Sequence, residues 1–133
     1  MSEQTADLVT SDVFLVLSVH TAEIRGDDLT SQLERNFAAE VDRSAAAKVV
    51  VDLSAVKYLT STGVRTLLSL YQKVKPAGGR VVLCGVAEMV SEVLQLMRFI
   101  DPSGSRPTPF EVQPDVKTAV VSLLTQRTVA GGS

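Results

Sequence analysis

A single cysteine, Cys84, and a single histidine, His20, occur among the 133 residues. One cysteine excludes an internal disulfide, and the pair offers no obvious transition-metal ligand set. Cys84 closes the apolar run Val81-Val82-Leu83, where a small buried hydrophobe on a strand accounts for it. His20 follows a strand-like run; a pairing with Ser61 is conceivable, but Thr60-Ser61-Thr62-Gly63 lacks the leading glycine of a nucleophile elbow. No glycine-rich string runs into Lys followed by Ser or Thr, so no phosphate-binding P-loop is present. Gly78-Gly79 is a helix-ending turn and not a dinucleotide fingerprint. Long apolar runs are also missing: the longest, Val13 to Leu17, is far too short to span a bilayer. Met1 to Asp7 is polar and acidic, without the basic-then-apolar order of a signal peptide, which implies a soluble cytoplasmic protein. Neither charge sign dominates; the formal net charge is -2 with no basic patch, so nucleic acid is not an expected partner. Together these absences disfavour an enzyme and imply no cofactor and no metal.

What is present is a well-patterned globular chain. Apolar residues make up 45%, enough for one core in a single domain of 133 residues. Residues 5 to 9 and Val13 to Val19 read as two strands joined by turn chemistry at Thr10-Ser11-Asp12, an antiparallel hairpin. A charged loop from His20 to Asp28 leads to a helix with Leu29, Leu33, Phe37 and Val41 on one stripe, capped by Asp28 or Thr30. Lys48 to Leu53 is a buried strand. A helix from about Thr62 to Lys75 follows, with Val64, Leu67, Leu68, Tyr71 and Val74 inward, ended by Pro76-Ala77-Gly78-Gly79. Arg80 to Cys84 is a strand, and Ala87 to Met97 a helix that turns Val86, Val90, Val93, Leu94 and Met97 inward. After a polar loop, Phe110-Glu111-Val112 forms a short strand. Pro114 stands at the first turn of a last helix packing Val116, Ala119, Val120, Leu123 and Leu124. Strands alternating with helices imply parallel pairing through right-handed crossovers. The expected fold class is α/β: a mixed, mostly parallel sheet of four to five strands with about four helices. Its core spans about residues 8 to 125, with residues 1 to 4 and 128 to 133 frayed.

Two positions between strand and helix carry chemistry. Asp52 ends a strand where a phospho-acceptor aspartate could sit. The end of Val13–Val19 reads Ser18-Val19-His20-Thr21, without the carboxylates a magnesium site needs. Asp52 is therefore expected to bond the backbone N–H of residue 54 or 55. Ser61 stands at or beside a helix N-terminus, where orphan N–H groups and the positive dipole end suit a phosphate. Plain helix capping accounts for a serine there as well.

The segment Asp52-Leu53-Ser54-Ala55-Val56-Lys57-Tyr58-Leu59-Thr60-Ser61-Thr62-Gly63-Val64 resembles the signature of STAS domains, and within them the bacterial anti-sigma factor antagonists. The Ala77-Gly78-Gly79-Arg80 strand entry and Val93-Leu94-Gln95-Leu96 are similar to later parts of the same pattern. The resemblance implies a STAS-like single domain that acts as a non-enzymatic switch. The unphosphorylated form would sequester an anti-sigma factor that is also a serine kinase. Phosphorylation of Ser61 would release that partner, and a serine phosphatase would reset the residue. Thr60 and Thr62 are further candidate acceptors. Thr60, Ser61, Thr62, Gly63, Arg65, Thr66, Arg25 and Asp27 are the candidate partner surface, with Gly63 leaving room for a partner to approach Ser61. The sequence departs from the family at two places. Thr60 stands where aspartate is usual, and Glu23 to Asp28 replaces a commoner Gly-x-Leu-Asp loop. The alternative within the same fold is a constitutive scaffold or sensory module that binds a protein or small ligand without phosphorylation.

Overall fold

The computed structural model describes residues 6–10, 14–44, 47–101 and 103–132. In chain order these form β1 (Ala6–Thr10), β2 (Phe14–Val19), β3 (Glu23–Ile24), α1 (Asp27–Ser44), β4 (Lys48–Asp52), β5 (Tyr58–Leu59), α2 (Ser61–Val74), β6 (Arg80–Cys84), α3 (Glu88–Leu96), β7 (Phe110–Gln113) and α4 (Val116–Gly132). The main sheet has five strands in the order β1-β2-β4-β6-β7. β1 pairs antiparallel with β2, and the other neighbours are parallel. The turn expected at Thr10-Ser11-Asp12 falls largely outside the described residues.

Period-two alternation in β2, β4 and β6 sorts their side chains to two faces. Leu15, Leu17, Val49, Val51, Val81 and Leu83 enter one core with Leu33 and Phe37 of α1, Leu67 and Leu70 of α2, and Val90 and Leu94 of α3. Val16, Val50, Val82 and Cys84 face the other way and meet Ala119 and Leu123 of α4. Three helices thus cover one face and a single helix the other. Because both faces are covered, these strands read as continuous apolar runs rather than alternating ones.

Several local expectations are corrected. α1 begins at Asp27, so Asp28 and Thr30 lie inside its first turn and neither caps it. On α2, Leu70 is buried at a position the expected stripe omitted, while Leu68 and Tyr71 are half-buried. α3 ends at Leu96, and Arg98 turns left-handed at φ 62°, which leaves Met97 37% exposed instead of inward. At the start of α4 the cap is Asp115, whose Oδ1 accepts from the Thr118 N–H at 2.7 Å, so Pro114 precedes the helix. That bond and the Thr118 hydroxyl hold the Asp115 carboxyl below the usual carboxylate range. Leu124 is exposed because it sits a 100° step past Leu123, off the sheet. α4 spans Val116–Gly132.

The largest addition is a second sheet. β3 and β5 pair in parallel, with Glu23 opposite Tyr58 and Ile24 opposite Leu59. It lies in the loops that leave β2 and β4, at the end of the main sheet where α2 begins.

Candidate functional site

The site is the descent from β4 into α2. Asp52 closes β4, and its Oδ1 accepts from the Ser54 N–H at 3.0 Å, the local turn expected of it. The Leu53 N–H bonds the Cys84 carbonyl at 2.9 Å and buried Val56 anchors the loop, so the turn is tied to β6 and to the core. The N–H groups of Lys57 and Tyr58 both reach the Ala22 carbonyl, at 2.7 and 3.1 Å, and the Thr60 N–H reaches the Ile24 carbonyl at 3.1 Å. Three bonds to residues 22 to 24 therefore set where α2 starts.

Thr60 is the N-cap of α2. Its extended backbone (φ −87°, ψ 165°) lets Oγ1 accept from the Gly63 N–H at 3.0 Å. The same hydroxyl donates to the Ile24 carbonyl at 3.4 Å. Both capacities of the Thr60 oxygen are engaged, and the residue is half-buried. Ser61 and Thr62, the first two helical residues, are exposed. The capping explanation for residue 61 thereby passes to Thr60. The positive end of the α2 dipole lies beside the Ser61 hydroxyl.

Gly63 has a different role from the one expected. It is buried, and a Cβ there would stand 2.9 Å from both the carbonyl carbon and Cγ2 of Ile24, and closer still to the Ile24 oxygen. The missing side chain makes room for the β3 backbone, not for an approaching partner. Thr66 is also corrected. It is 0% exposed and its hydroxyl has no hydrogen-bond partner, so it faces the interior and not a partner surface.

Arg65 is held by α1. Its Nε donates to Glu34 Oε2 at 3.0 Å, Nη1 lies 3.9 Å from Asp27 Oδ1, and Nη2 is 3.5 Å from Ser31 Oγ. Ser69 Oγ donates to the same Glu34 oxygen at 2.9 Å. Arg25, on the loop between β3 and α1, pairs with Glu23 at 3.0 Å. The exposed face around the helix start thus gathers Arg25, Asp27, Ser61, Thr62 and Arg65. It also includes Tyr58, 41% exposed at the ribbon, which sequence reasoning missed because a two-residue strand has no period to read. Glu34, Ser31 and Ser69 were missed as well, since a polar pairing between helices leaves no local mark.

Cys84 is buried on the α4 side and donates to the Val51 carbonyl at 3.6 Å. Desolvation, with the nearby charges of Asp52 and Asp115, pushes its thiol up to about 12, so it is no nucleophile at neutral pH. Among the described residues no group of three or more His, Cys, Asp or Glu is placed to hold a metal ion, and no helix is long and apolar enough to cross a membrane.

A mostly parallel sheet with a capped, serine-bearing strand-to-helix turn is the layout of a STAS domain, and the family's model matches residues 14–119. The chain belongs to the STAS domain family. The Bordetella bronchiseptica protein BtrV, named for an anti-sigma factor antagonist, is 35% identical over 69 residues, 52% of this chain. The match spans 59% of that relative's length. A crystal structure of an anti-sigma factor antagonist from Mycobacterium paratuberculosis is 27% identical, with a TM-score of 0.68 over 89% of this chain and 92% of that one. The fold is also that of the anti-sigma factor antagonist SpoIIAA. Its unphosphorylated form matches with a TM-score of 0.64 at 12% identity, over 90% of this chain and 97% of that one. The phosphorylated Bacillus form matches at 0.63 and 14%, over 90% and 98%.

Proposed function

We propose that this protein is an anti-sigma factor antagonist whose association is switched at Ser61. Unphosphorylated, it sequesters an anti-sigma factor serine kinase. The kinase transfers the ATP γ-phosphoryl group to Ser61 Oγ, the hydroxyl proton leaves, and the modified protein is released until a serine phosphatase removes the phosphate. The observation that carries this reading is the division of labour at the start of α2. Thr60 spends its hydroxyl on the Gly63 N–H cap and on the Ile24 carbonyl, and Ser61 is exposed, its hydroxyl bonded to no other described residue.

The physics suits a switch that leaves the fold in place. A phosphate adds about −1.5 to −2 charge and three acceptor oxygens. At an exposed helix N-terminus that charge is favoured by about 0.3–1 kcal/mol. Against a partner surface shaped for a neutral hydroxyl, roughly 3 kcal/mol of lost binding is about a hundredfold in affinity. Threonine at position 60 serves the cap that aspartate would also serve, so the departure from the family pattern leaves the turn intact.

Incubation with the anti-sigma factor serine kinase of the same organism and ATP, followed by peptide mass spectrometry, should place one phosphate on Ser61. Ser61→Asp should weaken kinase binding. Absence of phosphate on residues 60 to 62, together with normal binding by Ser61→Asp, refutes the switch. That outcome supports the second reading, a constitutive STAS scaffold or sensory module, which Thr60 in place of an acidic residue favours.

A further inference from the structure

We propose that Arg65 is the intramolecular receptor for a phosphate on Ser61, and that taking it up releases the ion-pair clamp between α2 and α1. The inference rests on the Ser61 reading above and adds what the phosphate does inside the protein. Arg65 lies four residues after Ser61, so the two Cβ atoms share a helix face roughly 5–6 Å apart. Helical side chains lean toward the N-terminus, which tilts Arg65 back toward Ser61. A negative group placed N-terminal to a positive one at this spacing is the favourable order.

The clamp is built to be exchanged. Of the three Arg65 contacts, only the one to Glu34 is a close ion pair, at 3.0 Å. Asp27 is 84% exposed and 3.9 Å away, and Ser31 is neutral at 3.5 Å. A guanidinium binds phosphate through two parallel N–H bonds, a stronger arrangement than a single-donor carboxylate contact. Glu34 would keep the Ser69 hydroxyl, at 2.9 Å, so its carboxylate is not stranded when Arg65 leaves. The consequence falls on the first turns of α1. Asp27 and Ser31 lose their tie to α2, and Asp27 belongs to the same exposed face as Ser61. Arg25 is the rival receptor, held by Glu23 at 3.0 Å on the loop across from the helix. It lacks the i, i+4 placement.

Phosphoserine installed at position 61 during translation, by an expanded genetic code, tests this without any kinase. The readouts are the NMR signal of the Arg65 Nε–H and amide hydrogen exchange over residues 27–34. In the phosphorylated protein the Arg65 signal should shift, and exchange in residues 27–34 should rise roughly two- to fivefold, the scale of losing an exposed ion-pair tie. Arg65→Gln should show the faster exchange already, with little further change on phosphorylation. Arg25→Gln should respond like the parent. An unmoved Arg65 signal with unchanged exchange overturns the proposal, as does a response that survives in Arg65→Gln and vanishes in Arg25→Gln. Because the phosphate is installed directly, these results stand apart from the kinase assay, whose failure would count against the switch itself.

Discussion

Replacing Gly63 by alanine is the sharpest probe of how the site is built. On an exposed helix the change would stabilise by about 1 kcal/mol through helix propensity. Here the backbone of α2 passes against β3, and the new Cβ would press on the Ile24 carbonyl and its Cγ2. The carbonyl cannot rotate away as a side chain could, because it accepts the Thr60 N–H at 3.1 Å and the Thr60 hydroxyl at 3.4 Å. Overpacking of this kind costs about 1–3 kcal/mol. Disturbing the Ile24–Thr60 bond adds about 0.5–1.5 kcal/mol. Less the propensity gain, Gly63→Ala should lose roughly 0.5–3.5 kcal/mol. Urea denaturation should show a lower midpoint, by about 1 M for a 2 kcal/mol loss, at an unchanged slope. Gly78→Ala is the control. It has open space and a left-handed φ of 74°, so its loss should stay near the conformational penalty of about 1 kcal/mol. A Gly63→Ala protein as stable as the parent, or more so, would refute the packing of the α2 start against β3.

Thr60→Ala should cost about 0.5–2 kcal/mol by stranding the Gly63 N–H, while Thr60→Asp keeps that cap but loses the donation to the Ile24 carbonyl, so its urea midpoint should fall between the other two; equal midpoints for all three would rule out the cap. Arg98→Gly should stabilise by roughly 0.5–1 kcal/mol, because Arg98 occupies the left-handed position of a helix C-terminus that glycine adopts without strain. The bonds around it, Phe99 N–H to the Leu94 carbonyl and Arg98 N–H to the Gln95 carbonyl, both 2.9 Å, should persist; a thermal midpoint that falls would overturn this account. For Cys84 the folded thiol is held near 12, above its ordinary value of about 9, so its neutral form is the one the fold favours. The associated stability is full below about pH 9 and is lost as pH rises toward 12. Cys84→Ala should flatten that part of a stability-against-pH profile, and native protein should resist thiol alkylation at pH 8 until urea is added; rapid alkylation of the folded protein would contradict the burial.

Much of the main architecture is readable along the chain. Apolar runs in β2, β4 and β6, and the four-residue stripe of Leu33, Phe37 and Val41, are repeated local signals that report a covered sheet and amphipathic helices. The Asp52 turn bond and the Thr60 capping bond are equally local, reaching two and three residues. The roles within the turn are another matter. Thr60 bonds Ile24, 36 residues earlier, and Arg65 bonds Glu34, 31 residues earlier. Nothing in the spacing of either partner announces these contacts, and the β3–β5 ribbon that creates the first is only two residues long per strand. The tertiary structure alone therefore decided that Thr60 is the cap, that Gly63 is a packing glycine and that Thr66 is buried. The sequence by itself determined the fold and the presence of a serine at a helix start. Long-range backbone pairing decided which hydroxyl is consumed by the structure and which stays exposed.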